Sequence, residues 1–290
     1  MSGGSIGNGF DVSFGAALEI TGGQIGNDLT IESGSTLDIS GGQIGNDLKI
    51  ESNSTLDISG GQIGNDLVVS NSVGNISGGT IGDNFTLERG AVANVSGGDI
   101  GNRFTVGALP IGAPQYFAEG TVNISGGQIG SDFRVGDNGI ANISGGTFGS
   151  RFSAFDGSEV DITDGVFGNQ FTANSGSDVD ISGGAFGDGF TVNAGSTVEI
   201  SGGNFGSGFY ATFPGTNIVL QGGEFRLNGI DIPALSGLPL GTDGVLTGVL
   251  ADGSSFIFAN NSEDLLNSIT LSSVLLPTCL LYTSPSPRDS

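Results

Sequence analysis

A phrase of about ten residues returns along this chain at a nearly constant interval, and that interval limits the possible folds more than any other property. "ISGGQIGNDL" occupies 39–48 and again 58–67, with "ITGGQIGNDL" at 20–29 and "ISGGQIGSDF" at 124–133. Copies begin at Met1, Ile20, Ile39, Ile58, Ile76, Val95, Ile124, Ile143, Ile162, Ile181 and Ile200, with a degenerate one at Leu220. The spacing is 19 residues, except 18 before Ile76, 29 before Ile124 and 20 before Leu220. A fixed period of this size marks a solenoid whose units bury apolar surface only against their neighbours.

The repeat reads I-S-G-G-x-(I/F)-G-x-x-(F/L)-x-V-x-x-G-S-x-V-(D/N), with apolar residues at repeat positions 1, 6, 10, 12 and 18. Position 18 and the next position 1 (Leu37 and Ile39) alternate as a strand does, and so do positions 10 and 12 (Leu29 and Ile31). Two short strands per coil, divided by glycine clusters, are therefore expected. Position 15 is Gly34, Gly90, Gly157, Gly176 and Gly195, and Asn53 or Asn138 where glycine is missing. That choice fits a corner in the left-handed region, which glycine adopts freely and asparagine tolerates best. The apolar spacing is not the strict six of left-handed hexapeptide helices, and crossovers between parallel strands are right-handed. The expected fold is all-β: a right-handed parallel β-helix of about 11–12 coils. At about 4.8 Å per coil it would be on the order of 55–60 Å long.

Three places interrupt the period. Residues 107–119, "GALPIGAPQYFAE", enlarge one coil and bring in Tyr116 and Phe117. Such an insertion is either a tolerated loop or a binding face, and those two aromatics are the candidate contact residues. After residue 223 the stretch "GVLTGVLADGSSFIFA" reads as two strands joined at Asp252-Gly253, a hairpin signal. The expected division is repeats over 1–223, a hairpin-containing β cap over 224–276 and an unstructured tail over 277–290. Met1 fills the slot that Ile holds in later copies, so an internal start is expected, with an export signal upstream. The final residues, "CLLYTSPSPRDS", resemble translated sequencing-adapter read-through, which would leave the single Cys279 without meaning.

Charge narrows the partners. With 30 Asp+Glu against 7 Lys+Arg, the net charge is −23, which argues against nucleic acid and anionic lipid as ligands. No apolar run reaches the ~20 residues of a membrane span. An acidic chain with a single Lys suits an exported protein. Surface polysaccharide or another matrix protein remain as partners, as does end-to-end association at an uncapped first coil.

Stacking turns each repeat position into a ladder. Position 19 gives Glu19, Asp38, Asp57, Asn75, Asn94, Asn123, Asn142, Asp161, Asp180 and Glu199. Neighbouring carboxylates ~5 Å apart in water repel by only about 0.8 kcal/mol, so a solvated face is tolerable. Calcium at Asp38, Asp57, Asp161 and Asp180 is the other reading, because hard cations seek clustered carboxylates. Position 9 holds Asp28, Asp47, Asp66, Asn84, Arg103, Asp132 and Arg151. Its "GGQIGNDL" is similar to the calcium-binding nonapeptide of RTX proteins, but departs from it in spacing and period.

Enzymes on β-helices need a distinct acid cluster or a metal with a basic partner. Here every acid belongs to a repeated ladder and histidine is absent, so no catalytic residue is assigned. The position-11 threonines are too often interrupted for an ice-binding row. The recurring "NISGGTIGDNF" phrase and the terminal "GVLTGVLADGSSFIF" block resemble large exported Gly-rich β-helix repeat proteins of planctomycetes and marine bacteria. The resemblance covers most of the chain to about residue 271 and implies an extracellular or cell-surface location. Together these readings point to a structural or adhesive extracellular β-solenoid without catalytic activity. The alternative is a carbohydrate-active or carbohydrate-binding β-helix of polysaccharide lyase or hydrolase type.

Overall fold

The computed structural model describes residues 1–107, 119–212, 215–233, 244–260 and 268–273. Among them every regular element is a strand, and the strands stack as a parallel β-solenoid of about eleven 19-residue turns. Equivalent residues lie directly over one another: Leu37 pairs with Leu56, Ile39 with Ile58, and Asn123 with Asn142.

Each coil has three strands rather than the two that alternation suggests. One line runs through positions 17 to 1, as in Thr55–Ile58. A second, only two residues long, covers positions 5 and 6, as in Gln62–Ile63. The third covers positions 11 and 12, as in Lys49–Ile50, and stacks into its own eleven-stranded sheet. The first two lines join in a larger sheet because some coils run through both without a break, as in Thr36–Ile44. Position 10 falls just before the third strand, since position 9 turns the chain at φ near 60° in Asp28, Asp47, Asp66 and Asp132.

A coil therefore has three left-handed corners, at positions 4, 9 and 15. The glycine at position 3 has a different cause. Its φ is ordinary, but a Cβ on Gly60 would lie 2.5 Å from the Ser40 carbonyl oxygen of the coil below. The serine of position 16 is buried against the third corner and ties its carbonyls. Ser72 Oγ donates to the Glu51 carbonyl at 2.6 Å, and Ser177 Oγ to the Asn174 carbonyl at 2.6 Å.

The core is one continuous column. Leucine at position 10 (Leu29, Leu48, Leu67) gives way to phenylalanine from Phe85 onward, and position 6 changes from isoleucine to phenylalanine at Phe148. Two phenylalanine stacks then run side by side. Phe152 and Phe171 are parallel at 4.4 Å, Phe167 and Phe186 at 4.7 Å, and the two columns meet edge to face, as between Phe171 and Phe186. In two of these coils the added volume is offset at position 12, where Ile31 and Ile50 of the early coils give way to Ala154 and Ala173, while the next coil keeps Val192. Conserving total core volume keeps packing near native density.

The breaks in period are absorbed locally. Across the 29-residue coil, Asn94 still pairs with Asn123 and Thr105 with Arg134. At the far end a single strand, Asn217–Leu227, crosses the boundary expected at 223. Its first half is a parallel rung on Thr197–Ile200, and Ile269–Ser273 adds a further parallel rung beyond it. Its second half pairs antiparallel with Gly244–Leu250, which forms a hairpin with Ser255–Asn260 through the Asp252-Gly253 turn. Asp252 accepts from the Gly203 N–H at 2.9 Å, and Ser254 Oγ donates to the Gly203 carbonyl at 3.0 Å. Phe258 stacks on Phe209 at 4.2 Å, so the hairpin extends the aromatic column and covers its end.

Candidate functional surfaces

Among the described residues the candidate surfaces are ladders, and their chemistry is set by what each rung meets above and below. Position 19 forms one of them. Its central run is an amide ladder in which Asn94 donates to Asn75 at 2.9 Å, Asn123 to Asn94 at 2.9 Å and Asn142 to Asn123 at 2.8 Å. Asn75 in turn donates to Asp57 at 2.7 Å, so the amides terminate on a carboxylate. Asn75, Asn94 and Asn123 each donate to one neighbour and accept from the other, and Asn142 donates at the far end of the run.

The four proposed calcium ligands fall into two separate places. Asp38 pairs with Asp57, and Asp161 pairs with Asp180, with the whole asparagine run between the two pairs. Burial raises the Asp38 carboxyl above its ordinary value, and the neighbouring Asp57 and Glu19 add to the rise. Asp180 is raised by burial first and then by Asp178, Glu199 and Asp161. Burial is the larger cause in both, and repulsion from neighbouring carboxylates adds to it. Among the described residues, no group of three or more His, Cys, Asp or Glu is arranged to hold a metal ion. Tyr116 and Phe117 lie outside the described residues.

Position 9, read as a second acidic ladder, is primarily a corner. Asp28, Asp47 and Asp66 sit there with φ of 60–64°, as do Arg103, Arg151 and Gln170 at 60–66°. Asn84 donates to Asp66 at 2.9 Å. Arg151 grips Asp132 in a two-pronged ion pair at 2.7 and 2.8 Å. That hydrogen bond holds the Asp132 carboxyl below its usual range; burial opposes it, and the charges of Arg151, Arg134 and Arg103 add to the lowering.

A further ladder, at position 8, stands beside it. The Asn27 N–H donates to Asn8 Oδ1 at 3.0 Å, Asn46 N–H to Asn27 Oδ1 at 2.9 Å and Asn65 N–H to Asn46 Oδ1 at 2.9 Å. Asp83 continues the series, accepting from the Asn102 N–H at 2.7 Å. Each side chain thus satisfies a backbone donor of the next coil at a corner where no strand ladder runs. The recurring Asn of position 8 is visible in the sequence. Its signal is polar and periodic, which neither apolar periodicity nor acid clustering picks out.

Several open grooves line the described surface, and two of them follow these polar rows. One, of about 640 Å³, lies along positions 5–8 of the first coils and holds an amide row in which Gln24 donates to Gln43 at 2.9 Å and Gln43 to Gln62 at 3.1 Å. The other, of about 440 Å³, lies between the asparagine run and the serines of position 2, including Ser96, Ser125 and Ser144. No aromatic side chain lines either groove. No family model, curated protein or solved structure matches the chain.

Proposed function

We propose that this chain is a structural or adhesive element of an extracellular surface or matrix: a rigid rod that presents polar ladders and catalyses nothing. The observation that supports this most is the equivalence of its acids. Asp38, Asp57, Asp161 and Asp180 each stand in register with acids or amides of the same repeat position. General acid–base chemistry needs two carboxyls with different environments and different tasks, and an in-register ladder gives neighbours the same one. The acidic, lysine-poor composition supports export.

Incubation with a panel of acidic and neutral polysaccharides tests the reading. Unchanged polymer length is the expected result, and any shortened or unsaturated product overturns it. One observation favours a second reading, glycan binding without cleavage. The groove beside Asn94, Asn123 and Asn142 offers amides and hydroxyls at each rung, groups suited to sugar hydroxyls. Under that reading Asn123→Ala weakens retention on the polysaccharide that binds, while the circular-dichroism spectrum stays unchanged.

A further inference from the structure

The cations of this acidic chain are not scattered. Of the six among the described residues, Arg103, Arg134 and Arg151 stand on three consecutive coils of one face. Arg134 points outward from the eleven-stranded sheet, and Arg103 and Arg151 flank it at the position-9 corner. Asp132 is the single acid among them and is already held by Arg151. Neither Arg103 nor Arg134 has an ion-pair partner among the described residues. Residues 108–118, which follow this face in the chain, contain no Asp or Glu. Asp137 and Asp156 stand at position 14, beyond the ends of those strands.

A different face of the rod carries the opposite charge over the same number of coils. Glu159 and Asp178 are in register at position 17, and Asp161, Asp180 and Glu199 at position 19. All but Glu199 are exposed; it is half-buried and accepts from the Gln221 amide. No cation stands within either column. Neighbouring carboxylates of the two columns repel one another: Asp178, Glu199 and Asp161 add to the rise that burial gives Asp180.

We infer that these two faces bind each other between copies of this chain, so that rods associate side by side. The basic patch occupies the coils that begin at Val95, Ile124 and Ile143, and the acidic patch the coils that begin at Ile143, Ile162 and Ile181. Both patches repeat with the same coil rise, since both belong to one solenoid. A parallel neighbour shifted by two coils, about 10 Å, therefore sets each arginine level against an acid level. The two faces are different surfaces, so the contact is heterologous and leaves a free patch on each partner. Repetition then produces an open array rather than a closed dimer. The net charge of −23 does not forbid this, because distant charges are screened beyond about 8 Å at physiological salt while contacting pairs are not. This inference depends only on surface charge and stands apart from the question of catalysis or glycan binding.

Sedimentation velocity of the full chain at about 0.15 M salt and up to about 1 mM protein provides the test. Concentration-dependent association that weakens at 1 M salt is expected. The triple variant Arg103→Asp, Arg134→Asp, Arg151→Asp uses a residue the repeat itself places at these positions, as at Asp47 and Asp11. It should weaken association at least about 100-fold, since like charges then meet. The variant Asp161→Lys, Asp178→Lys, Asp180→Lys should do the same. An equimolar mixture of the two variants should associate again, which lost folding in either could not imitate. A monomer at all concentrations, or association unchanged by both reversals, would overturn the inference. So would a monomer whose arginine face instead retains heparin or alginate, which would give that face to a polyanion.

Discussion

Single residues carry the axial contacts of this rod, and several substitutions separate their causes. Gly60 is needed for space, not for φ. Gly60→Ala should cost about 1–3 kcal/mol by forcing coils apart, measured by urea denaturation. Gln170 is the reverse case: it holds φ 66° at a corner where later copies have Gly189 and Gly208. Gln170→Gly should stabilise, and an unchanged or lower midpoint would show that its side chain matters more than its backbone. Asp180 tests the acidic ladder. Its carboxyl binds a proton more readily in the folded chain than in the unfolded one. Its ionised form therefore destabilises the fold, fully so above the raised value, and this penalty disappears as pH falls through the carboxylate range. Asp180→Asn copies the amides of Asn123 and Asn142. It should raise stability at pH 7 by a few tenths of a kcal/mol, given solvent screening, and give no gain at pH 2.5. A gain of equal size at both pH values would assign the effect to hydrogen bonding instead.

Among the elements, the phenylalanine columns are the part whose energetics can be dissected. Phe171 is fully buried between Phe152 and Phe190. Phe171→Ala should cost about 3–5 kcal/mol. Phe171→Leu, which restores the residue of the early coils, should cost less but leave space beside Ala173. Adding Ala173→Ile should then recover part of the loss, and a double-mutant cycle with no coupling would refute the volume exchange. Element by element, the sequence was legible where apolar side chains recur. Leu37, Ile39, Leu29 and Ile31 announced inward faces because alternation and stacking both act on them. The second strand line was not legible: Gln43–Ile44 and its equivalents are two residues between glycine corners, too short for alternation to show. The corner at position 9 was hidden because Asp also suits a ligand, and only φ tells the two uses apart. The ladder of position 19 and the place of Arg103 and Arg151 at position 9 follow from the repeat, but a total charge that averages over all faces does not show that Arg134 stands beside them.

On the scale of the whole molecule, stability is shared between neighbouring coils, and the ends and interruptions decide where it fails. The hairpin meets the last coils through Asp252, Ser254 and Phe258. Asp252→Ala together with Phe258→Ala should lower the thermal midpoint and raise amide exchange first in coils near Phe209, with coils near Leu48 affected last. Uniform exchange along the rod would instead indicate all-or-none unfolding. The enlarged coil between Val95 and Ile124 differs from the ends. Ten additional residues enter there, yet Asn94 meets Asn123 and Val106 meets Val135 as if none had been added. Loop closure costs grow only slowly with length. That site is therefore a socket: a foreign epitope or enzyme spliced between 107 and 119 would be displayed partway along the shaft, leaving the rungs on either side in place.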